Sequence, residues 1–329
     1  MKKALLLLNM GGANSLADVE IFLKNMFNDP YILGIKNKFL RKFVAFMITK
    51  GRLKTAKHNY EQIGGKSPIC ELTAKLCDKI SSLQNEFDAV DFAMNYTSPF
   101  AKDVLKKYEN FDEIVLLPLY PHHSQTTITS SLDDFKKAKD ELEIKAKILL
   151  CGPFYDDEIY NKIIISHINE AINNIDISDV ELIFSAHSLP QKIIDKGDVY
   201  EKHINEHVQI LSKMIKDSGL NFKGINLAYQ SRLGPVKWLE PSLNEILAKC
   251  KSKKALIYPL SFCIDNSETI FELVIEYAKI AKELNFSFYK VVWCPNFSDE
   301  FASFILQKAK TAKESNRKAP NCQLFWLTP

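Results

Sequence analysis

The sequence predicts an α/β protein with two similar doubly wound, Rossmann-like lobes, each built on a four-stranded parallel sheet flanked by helices. Short apolar runs rich in β-branched residues alternate with longer stretches of helical period, which is the pattern of parallel βα units. These runs form one group of four and then a second group of four. The length of 329 residues agrees with this division, since a domain takes roughly 150 residues.

Each strand is predicted from one short apolar run. In the first lobe the runs lie at 3–8, 89–94, 114–118 and 145–150, and in the second lobe at 181–186, 224–229, 254–260 and 287–293. Helical patterns follow most of them, for example at 69–86, 157–174, 200–217 and 268–284. The third of these helices has a clear apolar face, formed by Ile204, Val208, Leu211 and Ile215.

The order of these elements sets the expected lobe boundaries. Residues 1–155 are expected to form the first lobe and residues 156–300 the second. Residues 301–329 are predicted to form a C-terminal helix and tail that packs back on the first lobe.

The composition is that of a water-soluble globular protein, with 46% hydrophobic and 25% charged residues. The 43 Lys and Arg nearly balance the 40 Asp and Glu, which argues against binding to nucleic acid by charge. The apolar run 4–8 is too short for a signal peptide, and no run approaches the roughly 18 residues of a membrane span. The seven scattered cysteines include no C-x-x-C pair. These features predict a cytoplasmic location.

One segment, residues 31–68, is too long for a plain connection between the first helix and the next strand. Within it, residues 36–50 are rich in large apolar side chains with basic residues around them. The segment has two interpretations. It is either an ordinary amphipathic helix buried against the sheet, or an apolar lip that covers a ligand cleft or lies on a membrane surface.

Residues that follow the predicted strands are candidates for chemistry, because ligands bind beyond the carboxyl ends of strands in open parallel sheets. His187 directly follows a strand, and Asp265 and Glu268 stand at the start of the predicted helix 268–284. A histidine that faces carboxylates suits metal binding or proton abstraction. The structural alternative is a histidine hydrogen-bonded at a strand end, with acidic residues that favour a helix start.

Other polar residues have simpler explanations. His203 and His207 are four apart on a helix but lack the glutamate of a zinc-protease motif, so we expect them to be solvated. His122 and His123 follow a strand, and one of them is a candidate to line a pocket. The Ser/Thr cluster 124–131 suits an anion or, more simply, a helix cap. No strand is followed by a G-x-G-x-x-G or P-loop motif, which argues against a nucleotide site.

Several motifs, in order along the chain, resemble those of ferrochelatases. Residues 182–190 read LIFSAHSLP, which contains the S-A-H-S-L-P signature of that family. The likeness extends over nearly the whole chain through LNMGG at 8–12, YEQIGGKSP at 60–68, PLYP at 118–121 with Ser124, QSRLGP at 230–235 with Trp238 and Leu239, and DNSET at 265–269. The last of these is similar to the family's D-H-x-E-T.

The resemblance implies the chelatase fold and a lyase of haem biosynthesis. Such an enzyme inserts Fe²⁺ into a dicarboxylic porphyrin, here expected to be protoporphyrin IX, and releases two protons. His187 matches the family's active-site histidine and Glu268 its partner carboxylate, so both are expected to be catalytic and to bind iron. Asp265 is expected to assist Glu268 in binding iron or carrying protons away.

The resemblance also implies which residues hold the porphyrin. Arg52, Tyr60 and Ser67 match positions that line the ring or hold its propionates, and residues 36–50 match the apolar lip at the mouth of the cleft. The full expected set of substrate-binding residues is Met10, Arg52, Tyr60, Ser67, Tyr96, Tyr120, His123, Ser124, Trp238 and Phe262. Expected partners are porphyrin, ferrous iron, a membrane surface touched by the lip, and an upstream enzyme that supplies the porphyrin.

Three departures from the family pattern bear on these expectations. Asn266 stands where many relatives carry a histidine, which weakens any metal or proton role there. His123 stands where relatives often have an aromatic residue, so the wall there is expected to be more polar. Gln125 occupies the internal cysteine position of relatives with an iron–sulfur cluster, and only Cys322 lies near the C-terminus. No cluster or other prosthetic group is therefore expected.

Two other functions remain open. One is a porphyrin or haem carrier that kept the cleft and lost catalysis, although a carrier needs no proton acceptor beside a carboxylate. The other is a chelatase for a different tetrapyrrole or metal, such as coproporphyrin, sirohydrochlorin or cobalt.

Overall fold

The structure is a computed structural model that describes residues 1–173 and 175–315. The described chain divides into two compact units. The first unit holds Met1–Tyr120, Gln125–Pro153 and residues 297–315, and the second holds Pro121–Ser124 and the described residues of Phe154–Asn296. Cys322 and the rest of the expected C-terminal tail, residues 316–329, lie outside the described residues.

The first unit is built on a parallel sheet with the strand order β2-β1-β3-β4. Its strands are β1 (Lys3–Asn9), β2 (Ala89–Met94), β3 (Glu113–Pro118) and β4 (Lys147–Leu150). In β1, the four consecutive residues Leu5–Leu8 are at most 2% exposed. A strand that is apolar on both faces belongs in a parallel sheet covered by helices on both sides.

Six helices of the first unit precede its last strand or lie between its strands. They are α1 (Val19–Phe27), α2 (Pro30–Leu33), α3 (Lys38–Gln62), α4 (Ile69–Ser82), α5 (Ala101–Leu105) and α6 (Ser130–Glu141). A short 3₁₀ turn, Lys106–Tyr108, follows α5, and a π-helical turn, Gln125–Thr129, leads into α6.

The second unit repeats the same plan with the strand order β6-β5-β7-β8, again all parallel. Its strands are β5 (Glu181–His187), β6 (Gly224–Gln230), β7 (Lys254–Pro259) and β8 (Phe288–Val291). Its helices are α7 (Glu158–Ala171), α8 (Gln191–Ile194), α9 (Tyr200–Asp217), α10 (Leu243–Lys249) and α11 (Tyr277–Glu283). A π-helix, Glu268–Glu276, runs directly into α11.

The last described helix, α12 (Asp299–Ser315), packs within the first unit against α4, β3 and β4. Phe301 and Ile305 are fully buried in this contact. Lys79 on α4 lies 2.6 Å from Asp299, and the Cys151 thiol donates to the Lys308 carbonyl. The helix therefore covers one face of the first sheet.

The predicted fold class is confirmed, and all eight strands lie within a few residues of their predicted positions. The helix predicted at 268–284 begins instead as a π-helix and becomes α-helical only at Tyr277. The apolar pattern of this segment does not distinguish the two, because both helices place residues four apart on a common face.

Helix α3 contradicts the interpretation as an ordinary helix buried against the sheet. Of its 25 residues only Ala45, Thr49 and Tyr60 are buried. Its N-terminal half exposes large apolar side chains to solvent, namely Phe39 (85% exposed), Leu40, Phe43, Phe46 and Met47. We call these five side chains the lip. Helix α3 and the other described helices lack the length and apolarity needed to cross a membrane.

Gly12, in the loop after β1, occupies a position where a side chain has no room. A Cβ atom at Gly12 would lie 2.6 Å from the Cβ atom of Ser67. Ser67 cannot easily move away, because its backbone N–H donates to the Ala13 carbonyl at 2.8 Å. The loop after β1 and the segment before α4 are therefore closely packed.

We expect Gly12→Ala to lower the free energy of unfolding by about 1–3 kcal/mol, the usual cost of overpacking. The matched control is Gly51→Ala in α3, where an added Cβ meets no atom within 4 Å. This substitution should raise the unfolding free energy by about 0.5–1 kcal/mol, because glycine is unfavourable inside a helix. Urea unfolding followed by circular dichroism measures both changes, and a Gly12→Ala protein as stable as the parent would contradict the close packing.

Candidate active site

The centre of the candidate site is a pair formed by His187 and Glu268 in the second unit. His187 is the last residue of β5, and Glu268 is the first residue of the π-helix. His187 Nδ1 lies 2.8 Å from Glu268 Oε2. The imidazole side chain is 36% exposed and the carboxylate side chain is 19% exposed. The pair is thus formed inside the unit and remains accessible.

Each member of this pair alters the protonation of the other. Burial opposes the charged form of His187, but the Glu268 carboxylate outweighs it, so the pKa of His187 is raised above its ordinary value. Burial also opposes the charged form of Glu268, and there His187 and Ser231 together lower the pKa below its ordinary value. Glu268 is therefore the ionised member, and it accepts a hydrogen bond from His187 Nδ1–H.

Ser231 and Glu272 extend the pair by two more groups. Ser231 Oγ lies 2.9 Å from Glu268 Oε2 and 2.5 Å from Glu272 Oε2. Burial and the nearby Glu268 raise the pKa of Glu272 to about 8, so this carboxyl group holds a proton at neutral pH. A serine hydroxyl has one hydrogen. Glu272 therefore donates to Ser231 Oγ, and Ser231 donates to Glu268.

Asn266 fixes the start of the helix that carries both glutamates. Its side-chain Oδ1 accepts from the backbone N–H of Glu268 at 2.8 Å, and its Nδ2 donates to the Ile264 carbonyl. An amide oxygen placed in this way satisfies a helix N–H that has no partner in the helix. The residue that departs from the family pattern thus positions Glu268 through the backbone.

Asp265 does not join this group. Its Oδ2 accepts from the backbone N–H of Cys294 at 3.2 Å and from Asn296 Nδ2 at 2.6 Å. The side chain is 2% exposed, and burial raises its pKa. These contacts tie the loop after β7 to the chain after β8, which is a structural task. The expectation that Asp265 assists Glu268 is not supported by its contacts, because its partners are different groups.

His122 and His207 form a second, buried histidine pair in the same unit. His122 Nε2 lies 2.8 Å from His207 Nδ1, and His207 Nε2 lies 2.7 Å from Asn161 Oδ1. The Asn161 amide is oriented because its Nδ2 donates to the Tyr155 carbonyl. An amide oxygen only accepts, so His207 and then His122 both carry their proton on Nε2. Burial lowers the pKa of both residues, that of His207 to about 3.

The expectation that His203 and His207 are solvated is wrong. His207 is completely buried, and the half-buried His203 accepts the backbone N–H of His123 through Nδ1 at 3.2 Å. Residues four apart share one face of α9, and that face meets α7 and the segment that contains His122 and His123. Burial lowers the pKa of His203 and His207, so both histidines favour the neutral form in this packed interior.

The expected substrate residues of the second unit differ in how closely they approach His187. Phe262 is half-buried and adjoins Ser261, which binds the His187 backbone N–H. Trp238 is half-buried and pairs with Pro190, three residues after His187.

His123 and Ser124 instead lie with the buried histidines. Ser124 Oγ donates to Asp198 Oδ2 at 2.9 Å and is 1% exposed. The ring of His123 is half-buried, and its backbone N–H is bound by His203. These two residues are joined to α9 and the turn before it.

In the first unit, four of the expected substrate residues meet at the loop after β1. Tyr60 Oη accepts the Ala13 N–H at 3.1 Å, and the Ser67 N–H donates to the Ala13 carbonyl. The Tyr96 N–H donates to the carbonyl of Met10 in this loop. The fifth such residue, Arg52, is half-buried on α3, eight residues before Tyr60.

In the Ser/Thr cluster 124–131, the last two serines bond to a tyrosine hydroxyl and to Asp29. Ser131 Oγ lies 3.0 Å from the hydroxyl of Tyr120, the sixth expected substrate residue of this unit. Ser130 Oγ donates to Asp29, which also accepts from the Tyr96 hydroxyl. Helix α6 begins at Ser130 without a side-chain cap.

Sequence reasoning gave no role in the site to three residues, namely Ser231, Glu272 and Asn266. The spacing of Glu268, Glu272 and Glu276, each four apart, is a signal for acidic groups on one helix face. Ser231 directly follows β6 and lies in the QSRLGP motif at 230–235, but neither signal places it beside both carboxylates, where its backbone is left-handed with φ of 64°.

Solved structures share this fold. The sirohydrochlorin chelatase SirB from Bacillus subtilis subspecies spizizenii, in complex with cobalt, matches with a TM-score of 0.57 at 10% identity, over 96% of this chain and 97% of that chain. SirB from Bacillus subtilis with Fe³⁺ matches with a TM-score of 0.58 at 9% identity, over 96% and 98%. At such low identity these likenesses concern the fold alone.

Sequence relatives are much closer. The sequence model of the ferrochelatase family matches residues 2–313. A ferrochelatase from Campylobacter concisus is 87% identical over 95% of this chain and 99% of its own length. The ferrochelatase from Campylobacter fetus is 59% identical over 94% of this chain and 99% of its own length. The ferrochelatase from Nitratiruptor is 51% identical over 92% of this chain and 98% of its own length. With a family match over nearly its whole length, this chain belongs to the ferrochelatase family, the lyases that insert ferrous iron into a porphyrin to form haem.

Proposed function

We propose that the chain inserts Fe²⁺ into protoporphyrin IX, a dicarboxylic porphyrin, and that His187 accepts the protons that leave the ring. The observation that supports this role is the 2.8 Å contact between His187 Nδ1 and Glu268 in a side chain that remains 36% exposed. With Nδ1 engaged, the other imidazole nitrogen, Nε2, is the atom that can meet a substrate.

Metal insertion requires a base, because a free porphyrin loses two pyrrole protons as the metal enters. His187 in its neutral form accepts a proton on Nε2, and the resulting imidazolium is stabilised by the Glu268 carboxylate. The raised pKa of His187 makes it a stronger base than an isolated histidine. The pair therefore combines proton acceptance with charge stabilisation.

Protons leave through the groups behind His187. Glu268 accepts from His187, Ser231 bridges the two carboxyl groups, and Glu272 holds a proton at neutral pH. When Glu272 releases its proton to water, Glu268 can take the Nδ1 proton of the His187 imidazolium, and the Ser231 hydroxyl can turn and relay it to Glu272. His187 then holds the accepted proton on Nε2, and it regains the starting tautomer by proton exchange with water at its exposed edge. This path takes the place of the one expected through Asp265.

His187 and Glu268 are also the proposed protein ligands of the incoming iron. Imidazole and carboxylate both bind ferrous iron, and they can replace its water molecules stepwise. Two protein ligands leave most coordination positions for water and then for the porphyrin nitrogens. Such a site suits an ion that is a substrate and must be passed on.

Contacts with the porphyrin are proposed on the family resemblance. In the first unit the proposed contacts are Met10, Arg52, Tyr60, Ser67, Tyr96 and Tyr120, and in the second they are His123, Ser124, Trp238 and Phe262. A flat apolar macrocycle requires apolar or aromatic contacts, with cations or hydroxyls for its carboxylates. Arg52 supplies such a cation, and Tyr60 and Ser67 supply hydroxyls.

We further propose that the enzyme works in the cytoplasm without a prosthetic group and receives its porphyrin from an upstream enzyme. Gln125 at the internal cysteine position supports the absence of an iron–sulfur cluster, because an amide does not replace a thiolate ligand. In the described part of the chain six cysteines lie outside disulfides, and five of them are buried.

A metal-insertion assay tests this function. We expect Fe²⁺ or Zn²⁺ to enter protoporphyrin IX in preference to coproporphyrin and sirohydrochlorin, and His187→Ala to lower kcat at least about 100-fold with the fold intact by circular dichroism. Full activity of His187→Ala would overturn the role of His187. Tight haem binding without turnover would indicate a carrier, and preference for another tetrapyrrole or for cobalt would indicate a different chelatase.

The pH dependence of the reaction tests the His187–Glu268 pair. His187 must be neutral to accept a proton, so kcat/KM falls as the pH drops through its pKa. Glu268→Gln removes the charge that raises this pKa, and the acidic limb should therefore move to lower pH by about one unit or more. The control is Glu276→Gln, which changes an exposed residue of the same helix. An unmoved limb in Glu268→Gln would contradict the coupling.

The lip is the proposed point of contact with a membrane surface. Its five apolar side chains are exposed on one stretch of α3, and the exposed Lys36, Lys38 and Lys42 lie beside them. An apolar face flanked by lysines binds the interface of an anionic bilayer, because the apolar groups enter the headgroup boundary and the lysines pair with phosphates. The same face can also cover a bound porphyrin.

Sedimentation with vesicles tests the lip. The protein should co-sediment with phosphatidylglycerol vesicles and much less with phosphatidylcholine vesicles, and Phe39→Ser with Phe43→Ser should abolish this binding. Leu83→Ser is the matched control, since Leu83 is an exposed apolar residue (45%) after α4. Binding that survives the double substitution would rule out the lip as the membrane contact, while an altered KM for porphyrin would assign it to the substrate.

A further inference from the structure

A closed ring of hydrogen bonds surrounds the backbone of His187. The His187 N–H donates to Ser261 Oγ at 3.0 Å, and the Tyr200 hydroxyl donates to the His187 carbonyl at 2.9 Å. Ser261 Oγ and Tyr200 Oη lie 2.7 Å apart. The Tyr200 hydrogen is used on the carbonyl, so the Ser261 hydroxyl donates to Tyr200 Oη. Each of the four groups in the ring is satisfied by the next.

This ring supplies the hydrogen-bond partners that a neighbouring strand would otherwise give to the backbone of His187. Two residues earlier, the Ser185 carbonyl accepts from Leu260 N–H on the β7 side. Because strand residues two apart point the same way, the N–H and carbonyl of His187 also face that side. Strand β7 has already ended at Pro259. The two hydroxyl groups therefore complete the end of β5 where no backbone remains to pair with it.

The ring also joins the elements that bring the histidine and the carboxylate together. Tyr200 is the first residue of α9, and it is 5% exposed. Ser261 precedes Glu268 by seven residues on the same segment after β7. A shift of the His187 backbone would change both the contact of Nδ1 with Glu268 and the direction of Nε2. The ring thus holds His187 Nε2, the atom that accepts the proton in the proposed reaction, in one position.

We propose that Tyr200 and Ser261 are positioning residues for His187 in iron insertion. Neither hydroxyl meets a reacting atom in this role, and both act through the His187 backbone. The inference rests on the proposed function of His187 as the proton acceptor. It adds two residues outside the motifs on which that function is based.

Tyr200→Phe and Ser261→Ala each open the ring by removing one hydroxyl. Each should lower kcat about 10- to 100-fold while KM for porphyrin changes less than about twofold, because small misplacements of a reacting group slow the chemical step. The double variant should lose little more than either single variant, since the ring is open in all three. If the loss of kcat in the double variant equals the two single losses combined, the two hydroxyls act separately, and the proposal that they act as one ring is wrong.

Tyr258→Phe is the matched control. Tyr258 is a fully buried tyrosine of β7 whose hydroxyl has no hydrogen-bond partner in the described structure. This variant should keep the parental kcat. An equal loss of kcat in Tyr258→Phe would show that any buried tyrosine change slows the enzyme and would remove the support for positioning.

Nuclear magnetic resonance separates this inference from the proposed function. The Nδ1–H proton of His187, identified by its absence in His187→Ala, should shift upfield or disappear in Tyr200→Phe and Ser261→Ala, whether or not the enzyme turns over. If His187→Ala is inactive but both ring variants keep the parental kcat and proton signal, the inference fails and the proposed function stands. If His187→Ala is active while the ring variants shift the signal, the proposed function fails and the positioning of the His187 side chain by the ring remains.

Discussion

The hydrogen bond between His187 Nδ1 and Glu268 Oε2 is the contact on which the rest of the site depends. It determines which imidazole nitrogen remains open, raises the pKa of the histidine, and keeps the carboxylate ionised despite its partial burial. A histidine alone would be a weaker base, and a half-buried carboxylate alone would resist ionisation. Each group is useful because the other is within hydrogen-bond distance.

The fold brings these groups together at the ends of two neighbouring strands. Parallel strands β5 and β7 end on the same edge of the second sheet, and the segment after β7 leads directly into the helix that begins with Glu268. Asn266 caps this helix and Ser231 reaches it from the end of β6. The chemistry is therefore assembled from strand ends and a helix start, as expected for doubly wound sheets.

The strands could be predicted because a buried parallel strand is a short run of apolar residues in the sequence, as β1 is. His187 and Glu268 could be predicted because strand ends share an edge. The burial of a helix face depends on which other element packs against it, and the sequence pattern of the helix does not show which element that is. The same amphipathic period describes α3 whether it is buried or exposed, and His207 is buried only because α7 and His122 meet it.

The neutral pair of His122 and His207 has a consequence for the behaviour of the protein in acid. A histidine in an unfolded chain binds a proton near pH 6.5, whereas His207 in the folded unit resists protonation until about pH 3. Within that interval the unfolded chain holds the extra proton, and folding loses about 1.4 kcal/mol per pH unit from this residue alone. His122 acts in the same direction. Acidification below about pH 6.5 therefore weakens the interior of the second unit through these two histidines, so that acid affects the fold as well as the reaction.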